Sequence, residues 1–128
     1  MTKDYSEEFK RLVDKYKREG FEWGKSIEYL EFRNGCSKED MEREILNSEN
    51  IELVQRQKEG EETRYKAYFV YSHKTGRVYV IKFTSKIRII TIYPIGRQTL
   101  KNYKRKFKKV WKPEETMTLK IHYDEEDD

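Results

Sequence analysis

The apolar residues of this chain change period near residue 51, from the three-to-four spacing of helices to the two-residue alternation of strands. That switch restricts the fold to helices packed on a sheet. Before it, Phe9, Leu12, Val13 and Tyr16 recur at helical spacing, which predicts a first helix capped by Ser6 and ended by Gly20. The stretch Ser26 to Arg33 suits a short helix through Ile27 and Leu30, or a strand through Leu30 and Phe32; the helix is the reading adopted. Asn34-Gly35 predicts a turn, and Ser37-Lys38-Glu39-Asp40 reads as a variant capping box opening a helix with Met41, Ile45 and Leu46 inward.

After the switch, Ile51 to Val54 alternate, then Tyr65, Ala67, Phe69 and Tyr71, with Lys58 to Glu62 expected as a solvated loop. Ser72 to Arg77 predicts a hairpin turn in which Gly76 takes the left-handed position, and Val78 to Phe83 returns as a strand. Ser85-Lys86 reverses the chain again. Ile87 to Tyr93 is apolar at both parities, as expected of a mid-sheet strand covered on both faces. Pro94 and Gly96 are expected to end it. A helix of residues 97 to 109 follows, with Leu100, Tyr103, Phe107 and Trp111 as its inner stripe, and Met117, Leu119, Ile121 and Tyr123 alternate as a last strand. The expected class is α+β: N-terminal helices packed on an antiparallel sheet of four to five strands, followed by a basic helix. The length of 128 residues suits one domain, expected over residues 1–123 with an acidic disordered tail over 124–128.

Only 35% of the residues are hydrophobic and 41% are charged, so large rings, ten of them Tyr, must supply much of the buried area. No run approaches the roughly 20 apolar residues of a membrane helix, and the first residues lack a signal-peptide pattern, so no membrane partner and a cytoplasmic location are expected. The single Cys36 forms no internal disulfide, in keeping with a reducing compartment. Abundant Lys and Glu resemble thermophile usage.

The net charge of +4 conceals a segregation. Residues 1–62 carry 17 acidic and 12 basic side chains, residues 63–113 carry 15 basic and none acidic, and residues 114–128 carry seven acidic against Lys120. The three nets are −5, +15 and −6. A long carboxylate-free stretch implies a positive field and a polyanionic partner, RNA or DNA, unless its cations pair with the acidic helices and tail.

The basic half holds no carboxylates for metal-dependent phosphodiester cleavage, and His73 and His122 have no metal-ligand spacing, so no metal or cofactor is expected. RNA carries its own nucleophile, the 2′-hydroxyl. Its cleavage needs only positioning, charge stabilisation and two proton transfers, which Arg, Lys and Tyr can provide. The candidates are Lys82, Lys86 and Arg88 on the last hairpin, Tyr93 at a strand end, and Arg97, Lys101, Tyr103, Lys104, Arg105 and Lys108 on the basic helix.

The segments Arg64-Tyr65, Gly76-Arg77-Val78-Tyr79-Val80 and Ile87 through Arg97, with Asn34-Gly35-Cys36-Ser37 and Glu39-Asp40 upstream, carry a resemblance over residues 25 to 107. In that order of elements the chain resembles the small ribonuclease toxins of the RelE and BrnT type, although the lysine-histidine pair usual near the first helical turn of BrnT-like proteins is absent. The resemblance implies a metal-independent endoribonuclease in which Arg88 and Arg97 clamp phosphate and Tyr103 stacks or transfers a proton. It also implies an antitoxin protein that masks the basic surface. The alternative is a non-catalytic RNA- or DNA-binding module, and a homodimer is compatible with either.

Overall fold

The structure, a computed structural model, describes residues 3–24 and 26–107, without the side chains of Tyr103, Lys104, Lys106 and Phe107. Helix α1 (Ser6–Tyr16) turns its Phe9–Val13 stripe inward and ends through a 3-10 turn, Lys17–Glu19, at Gly20, whose φ of +88° favours glycine. Ser6 is not the expected cap. It is the first helical residue, and Asp4 Oδ1 accepts from its N–H at 3.0 Å and from Val54 N–H at 3.0 Å, tying the chain start to the sheet.

Strand β1 (Phe21–Trp23) follows, then α2 (Ile27–Asn34) and α3 (Lys38–Asn47), each opened by a serine, of which Ser37 was predicted: Ser26 Oγ accepts from Tyr29 N–H and Ser37 Oγ from Asp40 N–H. Gly35 closes α2 in the left-handed conformation, φ +65°. Met41 and Ile45 are buried, whereas Leu46, expected inward, is 47% exposed.

Four strands then run as an antiparallel meander: β2 (Ile51–Glu59), β3 (Glu62–Val70), β4 (Gly76–Phe83) and β5 (Ile87–Ile95). The expected loop at Lys58 to Glu62 is instead a tight hairpin, with Glu59 paired to Glu62 and Gly60 at φ +62°. The β1 strand, absent from the periodicity reading, pairs parallel with β5, so the sheet is mixed, in the order β1-β5-β4-β3-β2. Gly76 is not left-handed as expected. It lies in β4, where a Cβ would come 2.8 Å from the Phe69 carbonyl oxygen, so a close approach of strands excludes a side chain.

β5 lies inside the sheet with residues covered on both faces, as expected, and its two-sided hydrophobicity has a second cause besides. Val80 pairs with Thr91 and Ile81 with Ile89, leaving Ile90 as a bulge that reverses the parity of the strand. Ile87, Ile89 and Ile92 therefore all join the core beneath α1–α3, while Ile95 packs on the opposite face. Pro94 does not end the strand. It pairs in register with Arg77, and β1 covers β5 only at Ile87 to Ile89, so the missing N–H falls where β5 is a sheet edge.

The main core joins Phe9, Val13, Leu30, Met41 and Ile45 of the helices to Val54, Tyr65, Ala67, Phe69, Tyr79, Ile81, Ile87, Ile89 and Ile92. Helix α4 (Arg97–Phe107) sits on the other face, where Leu100 packs with Leu53, Tyr68, Val78 and Ile95. Lys108, Trp111, the expected strand from Met117 to Tyr123 and the acidic tail lie outside the described residues. Among the described residues no helix is long and apolar enough to cross a membrane.

At the α1–sheet contact, Glu8 accepts from Tyr65 Oη at 2.5 Å and from Arg56 Nη1 at 2.9 Å. Burial, then the bond to Glu8, pushes the Tyr65 hydroxyl up to about 12. A folded-state pKa above the unfolded one contributes stability present below about pH 10 and lost as pH rises through the folded value. Urea midpoints are therefore expected to hold steady to about pH 9.5 and to fall above about pH 10; a midpoint unchanged at pH 11.5 contradicts this.

Candidate nucleic-acid interface

Strand alternation sets the second face of the sheet. Tyr65, Ala67, Ile81, Ile87 and Ile89 belong to the core under α1–α3, so the residues between and beside them, Arg64, Lys66, Lys82 and Arg88, project from the other side. Four cations from three neighbouring strands thus share one face. Lys82 stands opposite Arg88 in register, and Arg88 opposite Glu22 of β1.

Three of these cations, Arg64, Lys82 and Arg88, carry carboxylate partners. Glu62 accepts from Arg64 Nε at 2.6 Å and from Lys82 Nζ at 2.7 Å, and Glu22 lies 2.9 Å from Arg88 Nη1. The hydrogen bonds from Lys82 and Arg64 hold the Glu62 carboxyl below the usual range. All five side chains remain partly exposed, at 24–50%. The acidic half of the sequence therefore neutralises part of the basic half, through one residue at the boundary and one from β1.

Farther along the strands the cations are held by rings. Arg33, reaching from α2, places its guanidinium carbon 5.5 Å from the centre of the Tyr93 ring, and Lys66 Nζ lies 6.0 Å from it and 5.9 Å from that of Tyr68. Tyr68 Oη donates to Gln55 Oε1 at 3.0 Å. Burial alone would lower the Lys66 pKa, but the neighbouring Tyr68 and Tyr93 outweigh it and raise it, so Lys66 stays a cation at neutral pH. Burial raises the Tyr68 hydroxyl as well.

On α4, Arg97, Lys101 and Arg105 recur every four residues and share one side of the helix, all exposed. None of the three is paired with a described carboxylate. Lys86 is exposed in the β4–β5 turn.

The candidates predicted from sequence therefore divide into two groups. Lys82, Arg88 and Lys86 gather at one end of the β4–β5 hairpin and Tyr93 lies toward the other, while Arg97, Lys101 and Arg105 follow on α4. Four register positions separate Arg88 from Tyr93, about 13 Å, and six separate it from Ile95, about 20 Å. Arg97 follows two residues beyond Ile95, at the start of α4. The side chains of Tyr103 and Lys104, and all of Lys108, lie outside the described residues. Sequence reasoning missed Arg64, Lys66 and Tyr68, although assigning Tyr65, Ala67 and Phe69 to one face placed these three on the other. It also missed Arg33, which sits in the acidic half and carries no local signal.

A second polar cluster lies on the core side. Glu44 of α3 accepts from Arg77 Nη1 at 2.9 Å and from the hydroxyls of Tyr79 and Tyr71, while Arg77 Nη2 donates to the Asn34 carbonyl at 3.3 Å. Burial, with Glu44 beside them, raises both tyrosine pKa values, so the hydroxyls stay donors. Cys36 nearby is also raised by burial, which disfavours its thiolate. Among the described residues no group of three His, Cys, Asp or Glu side chains converges as a metal site. The chain matches no protein-family model, no curated protein and no solved structure.

Proposed function

We propose that this chain binds single-stranded RNA along the second face of its sheet, with the basic side of α4 as a flank. The observation that carries this reading is the gathering of Arg64, Lys66, Lys82 and Arg88 from three strands on one face, joined by Arg33 from α2. From Arg88 to the Arg33 contact at Tyr93 the cations extend over about 13 Å, which suits a chain of phosphates better than a compact anion. Tyr93, already in contact with two cations, positions them and is not a free stacking platform.

Two groups of this face, Lys66 and Tyr68, suit binding better than strand scission. Lys66 and Tyr68 are both shifted upward, away from the neutral range a general base needs. Scission of the toxin type would fall to Arg97 and Tyr103 on α4, and incubation of RNA with the protein in EDTA between about pH 6 and 9 tests it.

Binding itself is tested by fluorescence anisotropy with a labelled oligouridylate. About four phosphate contacts imply a slope near −3 in log K against log salt, so affinity should fall about 50-fold between about 50 and 200 mM KCl. Equal affinity at the two concentrations would remove the proposal.

A further inference from the structure

We infer that Arg64, Lys82 and Arg88 form a phosphodiester-binding row whose affinity is set by two built-in competitors, Glu62 and Glu22. The inference rests on the RNA-binding reading above and identifies how that surface is regulated.

The row is a like-charge arrangement. Lys82 and Arg88 face each other across adjacent strands, about 4.8 Å apart, and like charges placed directly opposite destabilise a sheet. Arg64 follows one residue before the Tyr65–Ile81 pair and shares its carboxylate with Lys82. Such a row persists where anions sit against it, and the free chain supplies them from its own strands: Glu62 at the β3 side and Glu22 on β1.

The carboxylates are placed to be displaced. Each pair is partly exposed, and exposed ion pairs are worth only about 0–1 kcal/mol, so an incoming phosphate replaces them at little loss. Glu62 bridges two cations with bonds of 2.6 and 2.7 Å, the disposition the two non-bridging oxygens of a phosphodiester would take. Because Lys82 and Arg64 hold Glu62 ionised, it competes throughout the neutral pH range. Two carboxylates against three cations leave the row net positive. It therefore attracts RNA but binds it less tightly than a bare row would, which favours release and exchange.

The test compares wild type, E62Q, E22Q and E61Q in anisotropy titrations with labelled oligouridylate across a range of KCl concentrations. Glu61 is exposed in the adjacent turn and pairs with no described cation, so E61Q removes the same charge without touching the row. E62Q is expected to bind about 5- to 10-fold tighter than wild type at low salt, with the slope steeper by about 0.7, one further phosphate contact. E22Q is expected to bind about 2- to 5-fold tighter, and E61Q to stay within about 2-fold. Coincident thermal melts establish that the variants are folded. If wild type binds and E62Q matches E61Q, or binds more weakly, the competitor role is wrong while RNA binding stands. If neither wild type nor E62Q binds at low salt, the RNA-binding reading falls, and this inference with it.

Discussion

Replacing Glu44 by alanine is expected to destabilise the fold by about 3 kcal/mol, the figure for breaking a buried ion pair from one side. Glu44 and Arg77 each retain only 17% side-chain exposure, so the guanidinium left behind would lie largely out of water. The Asn34 carbonyl would still accept from Nη2 and the Tyr71 hydroxyl from Nη1, but the guanidinium would lose its counter-charge and the fully buried Tyr79 hydroxyl its acceptor. A buried donor without a partner adds about 1–3 kcal/mol of its own, which places the estimate at the conservative end. Urea denaturation of E44A, R77M and the double variant measures the pair. The double variant should be more stable than E44A, because removing both charges leaves neither stranded. A loss below about 1 kcal/mol in E44A would mean the cluster is solvated and α3 is anchored by Met41 and Ile45 alone.

That cluster shows where sequence legibility ends. The residues of β3 and β4 announce their strands through alternation, and Ser26, Ser37 and Gly35 announce the helix boundaries, because those signals are local. Strand β1 has three residues and pairs with β5 at positions 66 residues later, as in Phe21 with Ile87; no local pattern encodes it. The double apolar parity of β5 was visible in the sequence, but a bulge and a doubly covered strand give the same pattern, and only the register separates them.

Charge behaved similarly. The segregation placed cations on one half of the molecule, and strand alternation put four of them on one face. The acid partners Glu62 and Glu22 depend on a hairpin tighter than expected and on the unread β1, so the partial neutralisation was not readable. Arg33 joins the basic face because α2 packs along β5, where Asn34 Nδ2 donates to the Ile92 carbonyl at 3.2 Å and holds the neighbouring residue at the sheet edge.

The same division of faces makes Phe9 the most informative apolar position. Phe9 is fully buried, with ring centres 5.7 Å from Phe83 and 6.1 Å from Tyr65, and Tyr16 stacks on Phe83 at 5.6 Å, so α1 is fixed through one aromatic cluster. Phe9→Ala removes the central ring and leaves a cavity, and is expected to cost about 3–5 kcal/mol in urea denaturation, a large share of a typical stability of about 5–15 kcal/mol. A cost under about 1 kcal/mol would mean that α1 does not dock as described. The milder Phe9→Leu keeps most of the volume and permits a binding measurement on folded protein. Its affinity for oligouridylate should stay within about twofold of wild type, since Phe9 lies beneath the sheet and the cations above it, whereas Lys66→Ala, on the second face, should weaken binding and flatten the salt slope by about 0.7. If Phe9→Leu weakened RNA binding as much as Lys66→Ala, the interface would have to include the helical face. The net negative charge of α3 there would then oppose the polyanion, and the electrostatic basis for placing RNA on this protein would be lost.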